Sequence, residues 1–309
     1  MRVYLSIFYS LLLLVSVNAF SQRQKVIYGE DNRLDIYDVR DAQLVEAAKS
    51  TAGVLSNTDI TFIENGTKAK LNTENYGTGM RLCKKERFYS QPTAVFCSAS
   101  LIAPDLVLTA GHCIKSENDC SSTSFVFGFQ MNSETEAVTT VPAQDVVKCQ
   151  KIISRELNSS NGADYAVVKI DKKITHRKPL ELSTNVNLSK GDEVVVIGHP
   201  SGLPVKVSGG AQVRTSDDAK GYFVANLDTY GGNSGSAVIN PSNGKVEGVL
   251  VRGETDFVSE GGCKVSNICA NDSCRGEDVT KGGYIKKKLQ TVLGGGGGNQ
   301  GGGWRPRKH

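Results

Sequence analysis

Three short segments carry residue types that could do chemistry together. Thr109-Ala110-Gly111-His112-Cys113 follows the apolar run Leu106-Val107-Leu108. Asp164-Tyr165-Ala166-Val167-Val168 opens another apolar run, and Gly231-Gly232-Asn233-Ser234-Gly235-Ser236 is a glycine-rich turn. A serine hydroxyl is a weak nucleophile at its own pKa and needs an imidazole beside it as base. The imidazole in turn needs a carboxylate to fix its tautomer and to stabilise the imidazolium. His112, Asp164 and Ser234 supply these three groups. The glycines flanking Ser234 let the chain turn sharply, so that backbone N–H groups can face a substrate carbonyl. Such donors stabilise a tetrahedral oxyanion by roughly 2.7–4 kcal/mol each.

The elements that must position these residues read as β-structure. Ala94–Ala103, Ser124–Met131, Tyr165–Ile170, Glu193–Gly198, Tyr222–Leu227, Ser236–Ile239 and Lys245–Val251 are short apolar runs bounded by Gly, Pro, Asn and Asp. That pattern predicts an all-β barrel or sandwich. Tyr284, Ile285, Leu289, Val292 and Leu293 recur at helical spacing and predict one C-terminal helix over Lys281–Leu293. A helix-like patch also lies at Asp41 to Lys49.

The ends have other characters. Arg2, a mostly apolar stretch from Leu5 to Val17 and the short residues Val17-Asn18-Ala19 predict a signal peptide over 1–19. That stretch is too short for a comfortable membrane span, and no second one exists in the sequence. Residues 20–55 are expected to be an N-terminal arm or pro-segment, 56–293 the catalytic domain, and 294–309 a flexible glycine-rich basic tail. The formal charge of +4 resolves into Arg2 and three tail cations, Arg305, Arg307 and Lys308, leaving the body near zero. A nucleic-acid-binding body needs a basic patch, so that class is excluded. Eight cysteines in an exported chain predict disulfides. The cysteines lack paired C-x-x-C spacing and the four histidines are scattered, so neither metal nor cofactor is expected.

The three motifs, in this order, resemble those of the chymotrypsin-like (trypsin-like) serine peptidases. Gly232-Asn233-Ser234-Gly235-Ser236 and Gly198-His199-Pro200-Ser201-Gly202-Leu203-Pro204 are most similar to the bacterial glutamyl-endopeptidase-like branch. The resemblance spans roughly residues 80–293. It implies two six-stranded antiparallel β-barrels with a C-terminal α-helix and the site in the cleft between them. It also implies His112 as base, Asp164 as its orienting carboxylate, Ser234 as nucleophile, the N–H groups of Gly232 and Ser234 as oxyanion hole, and a Cys97–Cys113 disulfide. Cys120 with Cys149 is a further candidate pairing.

The same resemblance points to a specificity pocket formed by Asp228, Thr229, Val251, Arg252 and Gly253. A carboxylate six residues before the nucleophile implies cleavage after Lys or Arg, because a buried charge without its partner is costly. The expected protein is therefore a secreted endopeptidase, extracellular or periplasmic. It should act as a monomer on protein or peptide substrates, with no nucleic-acid partner and no stable membrane insertion. The alternatives are a glutamyl-specific endopeptidase, with Arg252 receiving the acidic side chain, and a catalytically inactive protease fold used for binding. Departures from the family are Asn233 where animal members carry an aspartate, and Val251 where many have a serine that bonds the triad aspartate.

Overall fold

The computed structural model describes residues 26–294. The expected signal peptide, and all of the expected tail beyond Gly294, lie outside them.

Twelve strands build two closed antiparallel barrels. The first uses β1 (Thr51–Ser56), β2 (Cys97–Ala103), β3 (Leu106–Thr109), β4 (Thr123–Phe127), β5 (Val146–Leu157) and β6 (Asp164–Ile170), paired in the order β4-β5-β6-β3-β2-β1 and closed by β1 on β4. The second uses β7 (Glu193–Gly198), β8 (Lys206–Ser216), β9 (Tyr222–Ala225), β10 (Ala237–Ile239), β11 (Val246–Arg252) and β12 (Glu277–Lys281). Its order is β7-β10-β11-β12-β9-β8, and it is closed by β8 on β7. This is the chymotrypsin-like architecture that the motifs implied. The expected domain start at residue 56 needs correction. Thr51–Ser56 is a full barrel strand, every residue but Ser56 buried, so the first barrel begins at Thr51.

Alternation along the strands divides the core. Val194 and Val196 of β7 point into the second barrel with Val213, Phe223, Leu250 and Val279. Val195 and Ile197, one residue out of phase, pack in the larger cluster that fills the first barrel and the interface. Each such side chain, fully buried, contributes about 1.5–3 kcal/mol of transfer free energy. Helix α1 (Ala42–Lys49) is capped by Asp41, whose carboxylate accepts from the N–H groups of Gln43 (2.8 Å) and Leu44 (3.2 Å). Its Ala47 and Ala48 dock on the large cluster. Helix α2 (Gly282–Gly294) buries Ile285 against the same cluster, and its Tyr284 hydroxyl donates to Glu156 of β5 (2.9 Å).

The segment before α1 is woven into the second barrel. Arg33–Asp35 adds a strand to the edge of β8, and Ile27–Tyr28 pairs in parallel with Ile268–Cys269. Lys206 reaches Asp35 across this seam in a pair almost fully buried (2% and 3% exposed), with Gln91 Oε1 as a further acceptor at 2.7 Å. Disulfides join Cys97–Cys113, Cys120–Cys149, Cys83–Cys263 and Cys269–Cys274. The first two match the pairings read from sequence. Among the described residues no helix is long and apolar enough to cross a membrane.

Candidate active site

β3 ends at Thr109, whose backbone stands opposite Ala166 of β6, two residues from Asp164. The turn after β3 therefore emerges beside the start of β6. Gly111 lies in that turn because nothing larger fits: a Cβ there would meet Glu156 O at 2.4 Å and Tyr165 O at 2.8 Å. Arg155 Nε donates to the carbonyls of Gly111 and Ile114 (both 2.8 Å), fixing the turn from below.

Asp164 grips His112 at two points. Its Oδ1 accepts the His112 backbone N–H (3.0 Å) and its Oδ2 lies 2.8 Å from Nδ1. A carboxylate can only accept here, so Nδ1 carries the proton and Nε2 is left to act as base. Asp164 is 2% exposed and His112 11%, so the pair is nearly dry on the acid side and open on the other.

Ser234 comes from the second barrel, in the turn between β9 and β10. Gly232 (φ +88°) and Gly235 (φ +93°) take left-handed conformations that disfavour side chains. A Cβ on Gly235 would fall 2.0 Å from Ser98 O, and one on Gly232 2.6 Å from His199 O. Ser98 organises this turn from the first barrel. Its N–H donates to Ser234 O (2.8 Å), its Oγ donates to Gly232 O (2.8 Å) and accepts from His199 N–H (2.8 Å). The Gly231 carbonyl accepts from Ser201 N–H. Every described peptide bond is trans, so the Gly232 N–H points the opposite way from that carbonyl. Asn233, where animal members carry an acid, holds Ser236 Oγ at Oδ1 (3.0 Å) and is buried.

His112 and Ser234 line one open cleft of about 470 Å³, with the Cys97–Cys113 disulfide and Phe96 beside them. Thr280 of β12 ties the barrels together behind it. Its Oγ1 accepts from Asp164 N–H (3.0 Å) and donates to Asp164 O (2.9 Å).

The residues expected to form the pocket are distributed differently from one another. Both Asp228 oxygens are engaged by the N-terminal segment, Oδ1 by Tyr28 N–H (2.7 Å) and Oδ2 by Asn32 N–H (2.9 Å). Burial pushes its carboxyl up to about 6, against the pull of those two bonds. Thr229 Oγ1 donates to Glu277 (2.7 Å). Val251 is fully buried in the core. Arg252 turns away to Asp278 (2.6 Å) and to Gly162 O (2.8 Å), so it does not neutralise Asp228. Gly253 abuts the Glu277 carboxylate. His199 is buried, its Nδ1–H donates to Leu203 O (2.9 Å), and burial pushes its pKa down to about 4, so it stays neutral. Sequence reasoning missed Ser98, Arg155, Thr280 and Glu277. None of the four stands in a motif of its own, and Glu277–Lys281 is a mostly polar run whose full burial shows only in the fold.

Residues 97–249 match the family model of the trypsin-like peptidase domain. Among curated proteins, the thrombin-like enzyme acutin of Deinagkistrodon acutus is 28% identical over 187 residues, covering 52% of this chain and 75% of that protein. Among solved structures, the VesB protease of Vibrio cholerae aligns over 87% of this chain and 68% of its own, at 15% identity and a TM-score of 0.50, a likeness of fold alone. A Glu endopeptidase aligns over 88% of this chain and 99% of its own at 18% identity, but its TM-score of 0.46 is too loose to bear on specificity.

Proposed function

We propose that this chain, which carries a trypsin-like peptidase domain on a chymotrypsin-like fold, is a secreted serine endopeptidase working through His112, Asp164 and Ser234. The observation that carries the reading is the two-point hold of Asp164 on His112, opening into the cleft that His112 shares with Ser234.

In this reading Ser234 Oγ attacks the scissile carbonyl while His112 Nε2 takes its proton. Asp164 stabilises the imidazolium that forms. The negative charge that develops on the carbonyl oxygen meets the N–H groups of Gly232 and Ser234, which the Ser98 and Ser201 contacts orient before substrate arrives. His112 then protonates the leaving amine, and water attacks the acyl-enzyme by the same route in reverse. Lys or Arg is the expected residue before the scissile bond. The pocket segments carry buried carboxylates, and Arg252 is committed to Asp278.

Export is supported by the sequence pattern of residues 1–19 and by four disulfides, which persist in oxidising compartments. N-terminal sequencing of the protein from culture medium or periplasm should find residues 1–19 removed.

Hydrolysis of a peptide library tests the activity. Wild type should cleave after Lys and Arg, and Ser234→Ala should lose about 10⁵–10⁶ in kcat with the fold unchanged. Equal hydrolysis by wild type and Ser234→Ala would remove Ser234 from the mechanism.

A further inference from the structure

One buried histidine stands outside the proposed triad. His199 follows β7 in the turn Gly198-His199-Pro200-Ser201-Gly202-Leu203, and it is 1% exposed. This turn touches the oxyanion turn through its main chain. A Cβ on Gly232 would meet His199 O at 2.6 Å, Gly202 N at 2.7 Å and Ser201 N at 3.1 Å.

The His199 turn is tightly wound and strained. Ser201 has φ +51° and Gly202 φ +79°. A serine in that left-handed region persists only where its surroundings over-determine it. Gly202 N–H donates to His199 O (3.1 Å) and Leu203 N–H to Pro200 O (2.9 Å). A Cβ on Gly202 would fall 2.5 Å from Val95 O, so the first barrel confines the turn from outside. What the strained conformation achieves is the contact from Ser201 N–H to Gly231 O. That contact fixes the peptide plane whose other end is the Gly232 N–H.

The His199 side chain braces this turn. A carbonyl can only accept, so Nδ1 carries the proton and donates it to Leu203 O (2.9 Å), four residues on. The backbone N–H of the same residue donates to Ser98 Oγ (2.8 Å), which donates to Gly232 O (2.8 Å). His199 therefore bears on both carbonyls that flank the Gly232 residue, on Gly231 O through Ser201 and on Gly232 O through Ser98. Its ring lies nearly flat against Phe129, with centroids 5.9 Å apart and planes at 15°. An oxyanion donor is effective only when it is aimed before charge develops, which makes such bracing matter to the rate.

We propose that His199 is a positioning residue for the oxyanion hole, bracing the turn that keeps the Gly232 N–H aimed at the substrate carbonyl. This rests on the peptidase reading above and adds to it a residue that touches no substrate.

The test uses a peptide that wild type hydrolyses and the matching peptide aldehyde. Ser234 Oγ adds to the aldehyde carbon, and the hemiacetal oxygen takes the oxyanion's place. Fluorophosphonate labelling of Ser234, run to completion, counts intact sites. His199→Phe keeps a flat ring against Phe129 and removes the donor. It should lower kcat on the order of 100-fold at unchanged KM, the loss typical of one oxyanion donor, and weaken aldehyde binding by a similar factor. His199→Asn, whose Nδ2 lies where Nδ1 did, should recover most of kcat. A fully labelled His199→Phe with wild-type kcat overturns the proposal. So does a loss confined to KM, a kcat loss without weaker aldehyde binding, or a loss that His199→Asn does not recover. If His199→Phe does not fold, His199→Gln, whose amide lies beyond reach of Leu203 O, takes its place by the same criteria. All of these outcomes leave the peptidase reading standing. Wild type that neither labels nor cleaves sinks both.

Discussion

Asp228 and Glu277 are both buried acids near the same turn, Asp228 held by the backbone of the N-terminal segment and Glu277 by Thr229 and the Glu254 N–H. Asp228 has two backbone donors from residues 200 and 196 positions away in the chain, and burial raises its pKa to about 6 from 3.8. A carboxyl whose pKa is raised by folding binds its proton more tightly in the folded state. Its contribution is therefore most favourable below about pH 4 and declines as pH climbs through about 6. The stability of wild type minus that of Asp228→Asn should fall by on the order of 2–3 kcal/mol between about pH 3.5 and 7. Asp31 and Arg33, which also face Asp228, are common to both proteins and cancel in the difference. Denaturant titrations across pH measure it, and a difference that is flat or rises would contradict the assigned burial. At this scale the proposed triad, His112, Asp164 and Ser234, stands out in the sequence because each residue lies in a short motif beside a turn. Glu277 could not be, since its place depends on the register of β12 against β11, where Arg252 stands opposite Asp278.

The elements matter through what they hold still. β12 enters the site by Thr280, which satisfies both the N–H and the C=O of Asp164 from the other barrel. Thr280→Val keeps the shape and removes both bonds, leaving two buried backbone groups without those partners. Each such loss costs about 1–3 kcal/mol. We expect a loss of stability on the order of 2–4 kcal/mol and a lower kcat at unchanged KM, because Asp164 no longer holds His112 in place. Unaltered kcat in Thr280→Val would show that the clamp does not position Asp164. The Val-rich strand Glu193–Gly198 was readable to both ends, since almost every position is apolar and turn residues bound it. Val146–Leu157 and Lys206–Ser216 were not: polar residues and glycines interrupt them, some facing solvent, as Lys148 and Gln150 do, others buried against distant partners, as Lys206 is against Asp35. Glu277–Lys281 hid for a different reason. It is fully buried but mostly polar, Asp278 being paired with Arg275 three residues back and with the distant Arg252, and Lys281 with the distant Asp217 carbonyl.

At the scale of the molecule, a near-neutral two-barrel body is wrapped by its own N-terminal segment. The motifs implied the barrels; nothing in the local sequence of residues 26–35 announced that they would join the second one. That union rests on a buried ion pair, Lys206 with Asp35, in which burial pushes the lysine down to about 8. Removing one partner leaves the other charge buried, which costs about 3–5 kcal/mol. Asp35→Ala should therefore lose stability on that order in denaturant unfolding, and a loss below about 1 kcal/mol would mean the seam tolerates an unpaired lysine. The central claim, that the barrels meet to activate Ser234, is tested most directly by the rate of fluorophosphonate labelling against pH, with the modified peptide identified by mass spectrometry. The account predicts a single adduct on Ser234. Its rate should fall about tenfold per pH unit once acid protonates the His112 imidazole, and nearly vanish in His112→Ala. An adduct elsewhere, or a rate at Ser234 that is indifferent to pH and to His112, would contradict it.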